Sequence, residues 1–130
     1  MQVYVPLNVP GVTYAQTKGF AKAVAELLEA EAGDLVVSRQ TKALRGGKVL
    51  VDWSQNDVNK TTVAPYSPRA RERPTVSTPL AWDEVRAAVA AGDASSLVHD
   101  MAGVLARVRD QGDLFADALA VVQELPLGTG

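Results

Sequence analysis

Residues 48–56 read Lys48-Val49-Leu50-Val51-Asp52-Trp53-Ser54-Gln55-Asn56, an apolar run that ends in a carboxylate and polar side chains. The apolar part predicts a short strand over residues 48–53. Asp52 then occupies a position where the strand pattern would bury an apolar side chain, and a buried carboxylate persists only when it is paired, hydrogen-bonded or bound to a metal. Asp52 is therefore the first candidate for a functional acid. The alternative is a strand-end residue that pairs with Lys48 or Arg45.

A capped helix is predicted upstream of this strand. Thr13 and Gln16 are spaced as in a capping box, in which two side chains reciprocally satisfy free backbone groups at a helix start. Apolar residues at three- and four-residue spacings follow, and Gly33 supplies a C-terminal stop. The pattern predicts a helix over residues 14–32.

Short apolar runs predict strands on both sides of that helix. Residues 3–7 and 35–38 are the two runs, and together with the helix they predict a strand, helix, strand crossover. Gly46-Gly47 predicts a turn, and hence a hairpin-like entry into the strand over residues 48–53.

The second half of the chain predicts shorter elements. We expect a polar loop at residues 54–60 and short strands at 61–64 and 75–77. A helix is predicted at residues 82–91, with shorter helical pieces at 104–109 and 114–122. Residues 125–130 are predicted to form a flexible tail. The mixture of strands and helices predicts an α+β fold, with one domain over residues 1–124.

The composition excludes several kinds of chemistry. The 130 residues include no cysteine and one histidine, His99, which excludes disulfides, thiolate metal ligands and multi-histidine metal sites. There is no GxxxxGK[ST] phosphate loop. No apolar run is long enough to cross a bilayer and no secretory pattern is present at Met1, so we expect a cytoplasmic protein.

The charge is unevenly distributed along the chain. Residues 36–73 carry eight basic and three acidic residues, a net charge of +5, and the remainder carries five basic and twelve acidic residues, a net charge of −7. A basic segment in an acidic chain is typical of a phosphate-binding face, and a solvated charged surface is an equal alternative. Arginines and lysines around a metal-binding carboxylate would suit a nucleoside triphosphate. The eight basic residues of the segment 36–73 are Arg39, Lys42, Arg45, Lys48, Lys60, Arg69, Arg71 and Arg73.

Several strings, in order and over most of the chain, resemble one family. They are VYVPL at residues 3–7, YAQTK at 14–18, SRQTKALR at 38–45, KVLVDWSQN at 48–56, KTTVAPYS at 60–67 and VSTPL at 76–80. Together they closely resemble the C-terminal half of the polymerase domain of bacterial DNA ligase D, of the archaeo-eukaryotic primase superfamily. The resemblance implies part of a primase-like catalytic domain: a mixed sheet, a packed N-terminal helix and a small helical tail.

The resemblance also implies a function and a set of site residues. The family extends or fills DNA ends in non-homologous end joining, often with ribonucleotides and manganese. Asp52 matches its third metal-binding aspartate, a ligand for Mn²⁺ or Mg²⁺, and Arg45 matches an arginine that contacts the incoming nucleoside triphosphate. Arg71, and with it Arg69, matches the triphosphate pocket, and Lys60 and Thr61 lie in a motif of the same site. Implied partners are DNA ends, a Ku-type end-binding protein and a ligase.

The family pattern is not complete in this chain. An Asp-x-Asp pair and a Ser-x-Gly-Lys-Gly segment precede the strand at residue 3 in the family, and the histidine that follows them falls at Gln2 here. One carboxylate cannot organise two metal ions, so we expect a nucleotide pocket without activity on its own. Three alternatives stay open: a truncated polymerase, one subunit of a split polymerase completed by a second chain, or a non-catalytic module that binds nucleotides or DNA ends.

Overall fold

The computed structural model describes residues 1–126 and groups them into two compact units. The first unit comprises Met1–Pro6 and Val63–Val121, and the second comprises Leu7–Thr62 together with residues 122–126. Of the predicted tail, residues 127–130 lie outside the described part, and Leu125 is buried. The domain boundary after residue 124 stays a prediction. The helices are α1 (Tyr14–Glu31), α2 (Trp82–Ala91), α3 (Met101–Gln111) and α4 (Asp117–Ala120), and the strands are β1 (Val36–Val37), β2 (Val49–Leu50), β3 (Pro68–Arg69) and β4 (Thr75–Val76).

Local sequence signals specify helix α1 of the second unit. The Thr13 hydroxyl oxygen accepts from the backbone N–H of Gln16 at 3.3 Å, and the Gln16 side-chain oxygen accepts from the backbone N–H of Thr13 at 2.8 Å. The predicted capping box is therefore confirmed. The helix ends at Glu31, with Ala32 as its C-cap. A side chain on Gly33 would lie 2.8 Å from the backbone oxygen of Glu29, so the chain can leave the helix in this way only at a glycine.

The sheet of the second unit is parallel. Val36 pairs with Val49 and Val37 with Leu50. The predicted hairpin-like entry is therefore wrong, although both predicted strands contribute to the pair. The predicted strand over residues 3–7, and with it the crossover, is also wrong, because this segment pairs with no strand in the described part of the chain. A strand needs a neighbouring strand for its backbone hydrogen bonds, and an apolar run alone does not supply one.

The first unit holds the second small sheet and the other three helices. Strands β3 and β4 are antiparallel, with Pro68 opposite Val76 and Arg69 opposite Thr75. The prediction for residues 75–77 is confirmed in β4, whereas residues 61–64 form no strand. Helix α2 has the predicted bounds and α3 is longer than predicted. Gly112, with φ 75°, turns the chain out of α3. Within the helix predicted at residues 114–122, only the short α4 forms.

None of the helices in residues 1–126 is both long enough and apolar enough to cross a membrane.

Candidate functional site

The Asp52 carboxylate caps a short 3₁₀ turn just beyond strand β2. The turn spans Trp53–Gln55, and Asp52 is its N-cap residue. One carboxylate oxygen, Oδ1, accepts from the Ser54 backbone N–H at 3.1 Å, from the Ser54 hydroxyl at 2.6 Å and from Nε2 of Gln40 at 3.1 Å. The other oxygen, Oδ2, accepts from Nε2 of Gln55 at 3.1 Å. Asp52 is therefore held in one orientation by neutral donors.

These donors favour the ionised form of the Asp52 carboxyl. Partial burial raises the pKa of the carboxyl, but the hydrogen bonds from Ser54, Gln55 and Gln40 outweigh burial, so the pKa lies below its ordinary value. The expectation that Asp52 is buried is wrong: the residue is exposed, because β2 ends at Leu50 and the alternating pattern of the strand no longer applies. The alternative, an ion pair with Lys48 or Arg45, does not form either.

Arg45 reaches the Asp52 site through Gln40. Nη2 of Arg45 donates to the Gln40 backbone oxygen, and also to the Gln40 side-chain oxygen at 3.3 Å. The amide nitrogen of the same side chain donates to Asp52. The structure thus brings two of the predicted site residues, Arg45 and Asp52, to either side of one amide.

Sequence reasoning missed Gln40. A glutamine in a basic segment carries no local signal of a role, because its partners lie 5 and 12 residues away. The parallel pairing of β1 with β2 places the chain after Val37 beside the chain after Leu50, and this pairing brings Gln40 to Asp52.

A second set of contacts attaches the end of β1 to helix α1. The indole Nε1 of Trp53 donates to the Ser38 backbone oxygen at 3.0 Å, and the ammonium of Lys22 lies 5.7 Å from the centre of the Trp53 ring. The backbone N–H of Ser38 donates to Glu29 at 2.9 Å, and the Ser38 hydroxyl donates to the same carboxylate oxygen. Ser38 and Trp53, which flank the Asp52 site in sequence, therefore both contact side chains of α1.

The remaining predicted site residues are exposed. Lys60 and Thr61 lie in the second unit, after the loop that follows the 3₁₀ turn. Arg69 lies in β3 and Arg71 just after it, both in the first unit. Within residues 1–126 none of these three cations forms an ion pair with a carboxylate. Their assignment to a triphosphate pocket stays a prediction.

The donor set around Asp52 suits one coordination bond to a divalent cation. Each carboxylate oxygen can accept about two hydrogen bonds or metal bonds, and Oδ2 accepts one hydrogen bond while Oδ1 accepts three. A hard cation such as Mn²⁺ or Mg²⁺ prefers oxygen ligands of this kind. The described residues contain no group of three or more His, Cys, Asp or Glu side chains that could hold a metal by themselves. Asp52 therefore fits as a single ligand.

Comparison with known proteins agrees with the resemblance. The family described as LigD, primase-polymerase domain, matches residues 1–115. The chain belongs to the LigD primase-polymerase family. Among curated LigD relatives, it is 43% identical over 116 residues to the multifunctional non-homologous end joining protein LigD of Mycolicibacterium smegmatis. It is 30% identical over 127 residues to the bifunctional non-homologous end joining protein LigD of Bacillus subtilis.

A solved LigD polymerase domain has the same fold. The polymerase domain of Mycobacterium tuberculosis ligase D, in complex with DNA, superposes on 91% of this chain with a TM-score of 0.77 and 40% sequence identity. The predicted fold class, part of a primase-like α+β domain, is confirmed. The LigD matches cover 89% and 98% of this chain but only 14% of the M. smegmatis protein and 20% of the B. subtilis protein, and this chain covers 39% of the solved M. tuberculosis chain.

Proposed function

We propose that this chain forms the part of a LigD-type end-joining polymerase that contacts the metal and the incoming nucleotide. The reaction of such a polymerase is template-directed nucleotidyl transfer, in which a primer 3′-hydroxyl attacks the α-phosphate of a nucleoside triphosphate. The substrates are DNA ends and nucleoside triphosphates. The observation that carries the proposal is the arrangement of Arg45, Gln40 and Asp52, which holds a cation and an ionised carboxylate on two sides of one amide.

Each charged residue of this arrangement has a distinct role. The guanidinium of Arg45 matches phosphate oxygens in shape and charge, and we assign it to the triphosphate. Asp52 would hold Mn²⁺ or Mg²⁺ through Oδ2, the oxygen that accepts one hydrogen bond. Such an ion, when bound, neutralises charge on the triphosphate. Two-metal chemistry requires further oxygen ligands, so we propose that the 130 residues bind metal and nucleotide without polymerising by themselves.

A binding module without catalysis is the second candidate function. It is favoured by exposed cations that form no ion pair with a carboxylate in residues 1–126: Lys42 and Lys60 in the second unit, and Arg69, Arg71 and Arg73 in the first. Such residues neutralise backbone phosphates and release counterions. The solved M. tuberculosis relative is a complex with DNA. We extend both candidates to DNA ends as partners, and to a Ku-type protein and a ligase acting on the same ends.

Titration with Mn²⁺ tests the role of Asp52. Asp52→Asn removes the charge of the ligand and should weaken Mn²⁺ binding at least about tenfold. Loss of a residue that only hydrogen-bonds a metal ligand already lowers metal affinity by about tenfold or more. Asp34→Asn removes the same charge from an exposed position of the same unit and is the matched control. Binding is read from the water-proton relaxation rate with ATP present. If the two variants bind Mn²⁺ alike, the role given to Asp52 is wrong.

Nucleotide addition separates the two candidate functions. The purified chain is incubated with Mn²⁺, nucleoside triphosphates and a gapped duplex, and we expect no extension. Extension that Asp52→Ala abolishes would show that the chain polymerises alone. Salt-sensitive binding of duplex ends, without any Asp52-dependent Mn²⁺ binding, would favour the module.

A further inference from the structure

The Gln40 side chain contacts two opposite charges, Arg45 and Asp52, which form no direct ion pair. Its oxygen accepts from the Arg45 guanidinium at 3.3 Å, and its nitrogen donates to Asp52 Oδ1 at 3.1 Å. Arg45 also donates to the backbone oxygen of Gln40, so the guanidinium is bound to this residue at two points. The described residues contain no direct ion pair between Arg45 and Asp52.

Only a side chain with both an acceptor and a donor at its end can make this connection. A carboxylate at position 40 would accept a hydrogen bond from Arg45 but repel Asp52. An ammonium there would donate to Asp52 but repel Arg45. An apolar side chain would leave both charges without this support. The amide dipole points its oxygen at the cation and its NH₂ at the anion, so each contact polarises the amide in favour of the other.

A direct ion pair would work against ligand binding. A guanidinium and a carboxylate in contact satisfy each other bidentately, and both would then be less available to phosphate oxygens or a metal ion. With Gln40 between the two side chains, Oδ2 of Asp52 accepts only the hydrogen bond from Gln55 in the described part of the chain. Arg45 uses one guanidinium nitrogen, Nη2, to bind Gln40. Gln55 also donates to Asp52, but it makes no hydrogen bond with Arg45 in the described part of the chain, so it provides a natural comparison.

We infer that Gln40 is a positioning residue that couples Arg45 to Asp52 and keeps the two charges separately available to a nucleoside triphosphate and its divalent metal. This inference rests on the proposed function of Arg45 and Asp52. It predicts that Gln40 affects the triphosphate through Arg45, whereas Gln55 does not.

Side-chain amide NMR tests the connection in the absence of ligands. In the ¹H–¹⁵N spectrum of the full chain, Arg45→Met should shift the amide signals of Gln40 and leave those of Gln55 in place. Asp52→Asn should shift both, since both amides donate to Asp52. Equal responses of the two amides to Arg45→Met, or no response of Gln40, would overturn the inference.

Triphosphate binding tests the consequence of the connection. Gln40→Leu removes the side-chain hydrogen bonds to Arg45 and to Asp52 and should weaken the affinity of the full chain for ATP with Mn²⁺ at least about fivefold, because one lost hydrogen bond costs about 1 kcal/mol. Gln55→Leu removes one hydrogen bond to Asp52 but none to Arg45 in the described part of the chain, so it should weaken this affinity less than Gln40→Leu does. Adding Arg45→Met to Gln40→Leu should weaken binding less than Arg45→Met does in the wild type, because the two residues act together. Equal effects of Arg45→Met in both backgrounds would overturn the inference.

The two measurements separate the inference from the proposed function. If Arg45→Met and Asp52→Asn leave ATP and Mn²⁺ binding unchanged, the proposed function is wrong, and so is the role that Gln40 is given in it. If binding depends on Arg45 and Asp52 but Gln40→Leu and Gln55→Leu behave alike, the proposed function stands and the inference about Gln40 falls.

Discussion

An ion pair between Glu84 of α2 and Arg107 of α3 should make the first unit sensitive to acid. Nη2 of Arg107 donates to Glu84 Oε2 at 2.8 Å, and Nη1 donates to Oε1. Glu84 also accepts from the Ala81 backbone N–H at 2.8 Å, at the start of α2, and Arg107 donates to the Pro79 oxygen at 3.3 Å. The two side chains are 28% and 14% exposed. The ion pair therefore connects α2 to α3, and Glu84 also binds the backbone at the N-terminus of α2.

The pKa of Glu84 sets the size of the effect. The hydrogen bond from Arg107 is the largest cause that lowers it, from 4.5 to about 2. Lowering the pKa of Glu84 from 4.5 to about 2 corresponds to about 3 kcal/mol of folding stability, and solvent screening at a side chain that is 28% exposed reduces this to about 2 kcal/mol. Because the folded-state pKa lies below the unfolded value, this stabilisation is complete above about pH 5 and is lost as the pH falls towards 2.

Urea unfolding at several pH values measures this effect. Trp82 begins α2, so its fluorescence in a Trp53→Phe background reports on the first unit. Between pH 6 and pH 2, the free energy of unfolding should fall by about 2 kcal/mol less in Glu84→Gln than in the parent protein, because glutamine does not titrate. Asp83→Asn is the control, since the neighbouring pair of Asp83 with Arg86 is largely exposed and should contribute at most about 1 kcal/mol.

The comparison of the variants decides the outcome. If Glu84→Gln loses stability on acidification as steeply as the parent protein does, Glu84 does not carry the pH dependence, and the reasoning from its ion pair is refuted. If Asp83→Asn removes as much of the pH dependence as Glu84→Gln does, the effect comes from general surface charge.

Two further predictions concern helix α1. Thr13→Ala removes the side-chain acceptor at its N-terminus and should lower the free energy of unfolding by about 1 kcal/mol, measured by urea unfolding with Trp53 fluorescence; an unchanged midpoint would contradict the role of the cap. Gly33→Ala should lower the melting temperature measured by circular dichroism, because the new Cβ would lie 2.8 Å from a backbone oxygen. The control is Gly46→Ala, whose Cβ would have no neighbouring atom within 4 Å and which should change the melting temperature little. Equal effects of the two substitutions would contradict the steric argument.

The sequence by itself determined the features that depend on neighbouring residues. The capping box at Thr13 and the extents of α1 and α2 followed from contacts three or four residues apart, which leave a direct signal in the spacing of residue types. The family could also be identified from short strings in order, and Asp52 and Arg45 could be proposed as site residues from those strings. The roles of Lys60, Thr61, Arg69 and Arg71 stay predictions.

Tertiary structure alone decided how the strands pair and what surrounds Asp52. Apolar runs at residues 3–7, 35–38 and 48–53 look alike in sequence, yet the first forms no strand and the other two form a parallel pair of two residues each. Strand pairing depends on partners distant in the chain, so local patterns do not specify it. The same pairing brought Gln40 to Asp52 across 12 residues and left the carboxylate exposed and hydrogen-bonded rather than buried. The contact of the neutral Gln40 amide with Asp52 is long-range, and the spacing of residues in the sequence does not predict it.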